Sequence, residues 1–172
     1  MSILTPCHEI EPRLWLGNYE AARSIDVFTN HGFTHVVCLV AELQDTPFAE
    51  PLGVTYLTIP AQDQEEYPLR SHFATINTFL AEHWLQNDSS VVLVHCAAGA
   101  SRSATALAAF LMRHLRLPAL SCVNYLQSKR SIVNPNSGFL DQLREYEKEL
   151  VAEGILPPDD DDDDDNDDEC HD

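Results

Sequence analysis

Apolar positions along this chain come in two patterns. His35-Val36-Val37-Cys38-Leu39-Val40 and Val91-Val92-Leu93-Val94 are short continuous runs rich in β-branched residues, which read as buried strands. Val54-Thr55-Tyr56-Leu57-Thr58-Ile59, closed by Pro60, is a third strand candidate. Elsewhere the spacing is helical. Phe73, Ile76, Phe79, Leu80 and Trp84 recur at three- and four-residue steps, and residues 104–115 repeat the pattern before Pro118. A shorter helix is expected over residues 120–128, and Phe139, Leu143, Tyr146 and Leu150 stripe a last one. Strands alternating with helices predict an α/β domain, with a central, mostly parallel, twisted sheet flanked by helices.

Composition adds a boundary. The 172 residues are 44% hydrophobic and 22% charged, which is enough for one core without disulfide staples. Net charge is −18, but eleven of the 28 acidic residues lie between Asp159 and Asp172, where there is no Lys or Arg. Pro157-Pro158 is expected to end the last helix, so residues 1–156 form the domain and 157–172 a disordered acidic tail. The first 158 residues still carry −7, which argues against nucleic acid as a partner, since such proteins need surplus Lys and Arg.

Cysteines at 7, 38, 96, 122 and 170 are odd in number and irregular in spacing, so neither a disulfide framework nor a paired zinc clamp is expected. The first residues lack the pattern of a signal peptide, and no apolar run reaches the length of a membrane span. Ser2 and the position of Cys170 match no lipidation motif. The expectation is a cytoplasmic or nuclear protein, with no membrane partner.

The chemistry concentrates in Val91-Val92-Leu93-Val94-His95-Cys96-Ala97-Ala98-Gly99-Ala100-Ser101-Arg102-Ser103. A buried strand runs into a loop of small residues, and the loop opens a helix. Backbone N–H groups at a helix N-terminus converge on an anion, and small side chains leave room for it. A cysteine entering that nest gains stabilisation of its thiolate. Arg102 lies six residues later, where its fork can return over the same point and bind two phosphate oxygens. Thiolate, amides and Arg together suit attack on a phosphoester.

The run resembles the H-C-x-x-G-x-x-R-[S/T] signature of the cysteine-dependent protein tyrosine phosphatases. Leu14-Trp15-Leu16-Gly17, His31-Gly32-Phe33-Thr34-His35-Val36, Ala109-Phe110-Leu111-Met112 and Asn134-Pro135-Asn136-Ser137-Gly138-Phe139-Leu140 are similar to motifs of the dual-specificity branch. The resemblance covers roughly residues 10–150 and is to the small, atypical members. It implies that Cys96 attacks phosphorus and forms a phosphocysteine. Arg102 and the amides of Ala97, Ala98, Gly99, Ala100, Ser101 and Arg102 would hold the equatorial oxygens. Asp63, with Glu65 and Glu66 as the alternatives, would be the general acid and then the base. Ser103 would donate to the departing sulfur, and His95 would support the thiolate through backbone contacts. The resemblance also suggests that Arg130 borders the pocket and meets a second phosphate. No metal or other cofactor is implied.

The remaining cysteines have plainer readings. Cys38 is read as core, and Cys7 and Cys122 as inert, or as disulfide partners of Cys96 under oxidation. Cys170-His171 is at best a weak metal site. The variable loop positions, Ala97, Ala98, Ala100 and Ser101, are small and neutral, which favours phosphoprotein substrates over polyphosphorylated lipids. A shallow pocket would admit phosphotyrosine, phosphoserine and phosphothreonine. The competing readings are a phosphatase of an RNA 5′ end, inositol phosphate or glucan, and a non-catalytic phosphoprotein-binding module. For the tail, the readings are a solvating extension, a weak pseudo-substrate, and a dock for a basic partner.

Overall fold

The computed structural model describes residues 5–42 and 45–158. The acidic run from Asp159, with Cys170 and His171, lies outside the described residues. Five strands form one sheet: β1 (Cys7–Glu11), β2 (Leu14–Gly17), β3 (His35–Leu39), β4 (Thr55–Ile59) and β5 (Val92–His95). Their order is β1-β2-β5-β3-β4. All neighbours pair in parallel except β1 and β2, which form an antiparallel hairpin at one edge. The three expected strands are present, and Leu14–Gly17 is the fourth. Strand β1 had no sequence signal, because Cys7-His8-Glu9-Ile10-Glu11 buries Cys7 and Ile10 between polar positions.

Strand β5 occupies the centre, and all four of its residues are buried. Continuous apolar runs suit such a strand, since no position faces water. Helix α5 (Arg102–Leu115) follows it and packs on β2, β3 and β5. Every residue of α5 from Arg102 to Met112 is buried, with Ala104, Ala106, Ala108 and Ala109 permitting close approach of its neighbours. Those neighbours are α4 (Phe73–Leu80), α6 (Ala119–Lys129) and α7 (Ser137–Ala152). Three shorter helices, α1 (Tyr19–Arg23), α2 (Ile25–His31) and α3 (Ala49–Leu52), lie earlier in the chain. At four to seven residues they are too short to show a periodic stripe in the sequence.

Two boundaries differ from expectation. The stripe ending at Trp84 is not one regular helix, because α4 gives way to a π-type turn over Ala81–Leu85. Helix α7 stops at Ala152 rather than at Pro157, and Gly154 turns the chain at φ 73°. A left-handed turn is cheap only for glycine, so the helix ends before either proline is reached.

The parallel pairing has a functional consequence. Strands β2, β3, β4 and β5 all end at the same edge of the sheet. The loops after them are therefore neighbours, as at the carboxyl edge of other open α/β sheets.

Candidate active site

The loop from Cys96 to Ser101 joins β5 to α5, and each of its six carbonyls accepts a hydrogen bond from the surrounding scaffold. The Cys96 carbonyl accepts from His95 Nδ1 at 3.3 Å, and Ala97 from the Tyr19 amide at 3.0 Å. Arg130 donates from Nη2 to Ala98 at 3.2 Å and from Nε to Gly99 at 3.0 Å. Ala100 accepts from the Asn134 amide at 2.8 Å, and Ser101 from the Thr105 amide and hydroxyl, each at 2.8 Å. In a trans peptide the N–H points opposite to its carbonyl. Tying six successive carbonyls outward therefore turns the N–H groups of Ala97 through Arg102 toward the loop's own concave side, an anion nest.

Cys96 stands at the bottom of this nest, 2% exposed. Its sulfur accepts from the Gly99 amide at 3.3 Å and from the Ser103 hydroxyl at 3.0 Å. Gly99 has φ 67°, and a Cβ there would lie 2.4 Å from the Gly17 carbonyl oxygen at the end of β2. Only glycine fits both the backbone angle and that contact. His95 is buried, and burial pushes its imidazole down to about 4, so it is neutral at physiological pH. It serves the loop as a donor to the Cys96 carbonyl and brings no positive charge.

Asp63, after β4, faces the nest from the side. Its Oδ1 accepts from the Ser101 hydroxyl at 2.8 Å and from Asn136 Nδ2 at 3.0 Å. The Asn136 amide donates to the same Ser101 hydroxyl at 3.1 Å, while Asn136 Oδ1 caps α7 through the Phe139 amide at 2.8 Å. One asparagine thus fixes the start of α7, the catalytic loop and Asp63 together. The approach is close, since a Cβ on Gly138 would lie 2.1 Å from the Glu65 carbonyl oxygen. Of the two alternatives to Asp63, Glu65 is engaged elsewhere, by the Ser137 hydroxyl at 2.6 Å. Glu66 is exposed in the same segment. The sequence assigns Ser101 only its backbone amide, as part of the phosphate loop, and gives Asn136 a motif but no role. An asparagine before a predicted helix is an N-cap signal, but nothing local announces its second bond.

Arg102 is 5% exposed and donates from Nη1 to the Ala61 carbonyl at 2.9 Å and to Glu42 Oε2 at 3.0 Å. Arg130 corrects an expectation. It is 1% exposed and sits behind the loop rather than at its mouth. Besides the two loop carbonyls, its Nη1 reaches the Thr5 carbonyl and His8 Nδ1, each at 2.9 Å. Its donors are turned to the scaffold, so it is a buttress and not a second phosphate site.

A cleft of about 410 Å³, lined by Ala41, Glu42, Gln62, Asp63 and Gln64, opens beside Asp63. A larger one, about 890 Å³, lies between α4 and α7 and holds none of the expected site residues. Cys38 is core as expected, and Cys7 and Cys122 are buried too. Burial pushes Cys7 and Cys38 up to about 11 and Cys122 to about 12, so all three are protonated thiols at neutral pH. Among the described residues no cluster of His, Cys, Asp and Glu is placed to hold a metal ion.

A nucleophilic sulfur in an amide nest, a guanidinium and a carboxylic acid at the carboxyl edge of a parallel sheet define a phosphoester-cleaving site of the cysteine-dependent kind. Comparison with known proteins gives the family. The model of the dual specificity phosphatase catalytic domain matches residues 14–149, and the chain belongs to that family, the cysteine-dependent dual-specificity protein phosphatases. Mouse dual specificity protein phosphatase 22 is 37% identical over 145 residues, 83% of this chain and 74% of that protein. A Dictyostelium discoideum MAP kinase phosphatase with leucine-rich repeats is 34% identical over 148 residues, 86% of this chain but 17% of that protein. Among solved structures, a mouse dual specificity phosphatase complexed with zinc tungstate superposes with TM-score 0.81 and 31% identity, covering 92% of this chain and 96% of that one. Human DUSP28 superposes with TM-score 0.76 and 29% identity, covering 85% and 95%.

Proposed function

We propose that the chain hydrolyses singly phosphorylated phosphoprotein sites, phosphotyrosine and phosphoserine or phosphothreonine alike, through a phosphocysteine. The observation that carries this is the set of six tied carbonyls, which turns the loop amides inward over Cys96. Cys96 sulfur attacks phosphorus and forms the S–P bond while the P–O bond to the substrate breaks. Asp63 passes its proton to the leaving oxygen, and with Oδ1 held by Ser101 and Asn136, Oδ2 carries that proton. Asp63, now a carboxylate, takes a proton from the water that attacks the intermediate. The Ser103 hydroxyl, already 3.0 Å from the sulfur, donates to the thiolate as it departs. Arg102 and the loop amides hold the equatorial oxygens throughout.

Two features support a single-phosphate protein substrate. Ala97 and Ala98 are exposed and small, so the mouth is open. Arg130, the base expected to meet a second phosphate, is committed behind the loop. Tungstate, present with the mouse relative, is a tetrahedral oxyanion of the same kind as phosphate. The cytoplasm or nucleus, where phosphoproteins of signalling occur, is the proposed compartment. The acidic run from Asp159 is proposed to meet a basic partner. Kinetics on a phosphotyrosine peptide, a phosphothreonine peptide and a phosphoinositide test the substrate class. Turnover of both peptides well above the lipid is expected, and a preference for the lipid would overturn it.

A further inference from the structure

His8 lies on the edge strand β1 and belongs to no motif of the sequence, yet it is bonded to the arginine beneath the catalytic loop. Helix α6 packs on β1 and is pinned there at two points. From its middle, the Tyr125 hydroxyl reaches the Ile10 carbonyl at 3.1 Å and Glu11 Oε1 at 2.7 Å. From its C-terminal end, Arg130 Nη1 donates to the Thr5 carbonyl and to His8 Nδ1, each at 2.9 Å. A guanidinium cannot accept, so His8 Nδ1 carries the lone pair and the ring proton is on Nε2. Burial first, and then the Arg130 charge, lower the pKa of His8 from 6.5, so the ring is neutral at physiological pH.

The consequence is a buried charge without a counter-charge. Arg130 is bonded to three carbonyls and one neutral imidazole, and no carboxylate among the described residues pairs with it. Buried guanidinium groups are ordinarily paired with acids. This one lies against the catalytic loop instead, where a Cβ on Gly99 would come within 3.1 Å of its Nη2. Burial lowers the pKa of Arg130, and the sulfurs of Cys7 and Cys96 oppose that, so its charge is felt at the nucleophile. We propose that His8 is a positioning residue for phosphate binding and phosphoryl transfer: it anchors Arg130 with a neutral acceptor, so that an uncompensated positive charge stays beneath the anion site. The kinetic part rests on the phosphatase reading above, and the phosphate-binding part does not.

Asparagine and aspartate carry Oδ1 on the same Cγ that carries Nδ1 in histidine, so both keep an acceptor for Arg130. Aspartate adds a negative charge, and alanine removes the acceptor. The wild-type chain, His8→Asn, His8→Asp and His8→Ala are compared by calorimetric binding of inorganic phosphate, turnover of an activated aryl phosphate and thermal melting. His8→Ala is expected to weaken phosphate binding and lower kcat/KM by about fivefold each, since losing one anchor lets Arg130 and the loop carbonyls shift. His8→Asn should recover most of both losses. His8→Asp should weaken phosphate binding by about tenfold, the order expected when a nearby unit charge is cancelled at an effective dielectric of about 20. It should nevertheless melt no lower than His8→Asn, because it gains an ion pair. In a merely structural role, phosphate affinity would follow melting. Aspartate binding phosphate as tightly as asparagine, alanine within twofold of wild type, or no recovery by asparagine would each overturn the proposal. So would a His8→Asp chain too unstable to assay, since a neutral partner would then serve stability. If the wild-type chain lacked Cys96-dependent turnover, the phosphatase reading would fail, while the phosphate titrations would still decide the role of His8.

Discussion

Replacing Arg130 by methionine separates the two roles that sequence and structure assign to it. Methionine has similar length and no donors, so it deletes the bonds to the Ala98, Gly99 and Thr5 carbonyls and to His8 without emptying the site. The carbonyls of Ala98 and Gly99 then lose the donor that turns them outward. Each buried acceptor left bare costs about 1–3 kcal/mol, and breaking a buried charged network typically costs about 3–5 kcal/mol. Against this stands the cost of burying the guanidinium itself, which methionine removes. A net loss of about 3 kcal/mol is expected, which for a domain of this size lowers Tm by about 6–12 °C. The freed peptides can rotate, so the N–H groups of Gly99 and Ala100 no longer converge. Because positioning of this kind is worth on the order of 10²-fold, kcat/KM should fall by about that factor on every phosphate ester. The assay is thermal melting together with kinetics on an aryl phosphate, a singly phosphorylated peptide and a doubly phosphorylated peptide. An unchanged Tm with a loss confined to the doubly phosphorylated peptide would refute the buttress and restore the second-phosphate role.

Four further outcomes are expected. Cys96→Ser should abolish turnover of an aryl phosphate while the fold survives; a variant retaining a tenth of the wild-type rate would rule out the covalent route. Asp63→Asn should cost about 10²–10⁴-fold on a substrate with a poor leaving group and much less on an activated one. Equal losses on both would move the acid to Glu65 or Glu66. His95 is lowered from 6.5 to about 4 by burial, so the folded chain resists a proton that the unfolded chain accepts. Stability is therefore full above pH 6.5 and declines as pH falls to about 4, by about 3 kcal/mol, and a denaturation series in which His95→Gln kept the same decline would contradict this. Mild peroxide should oxidise Cys96 before Cys7, Cys38 and Cys122, whose thiols are raised to about 11, 11 and 12 and react poorly as such. Mass mapping that found Cys7 or Cys122 oxidised while Cys96 stayed reduced would speak against an activated Cys96.

What the sequence determined by itself was local. From Val92 to Ser103 the strand, the loop and the helix start are contiguous, so spacing alone places Gly99 three residues and Ser103 seven residues beyond Cys96, and both donate to its sulfur. The central strand and its helix were legible for the same reason, since Val92, Leu93 and Val94 of β5 form an unbroken apolar run and α5 follows within the same stretch of chain. The tertiary structure decided the contacts that span the chain. Asp63 meets Ser101 across 38 positions and Asn136 across 73, and Glu42 meets Arg102 across 60. Those distances close only because β3, β4 and β5 run parallel and end at one edge, an order that no local pattern encodes. Arg130 shows the same limit from the other side. The resemblance puts this base at the border of the pocket, yet the end of α6 aims it beneath the catalytic loop. Its carbonyl partners there are backbone atoms, and backbone carries no sequence signal to announce them.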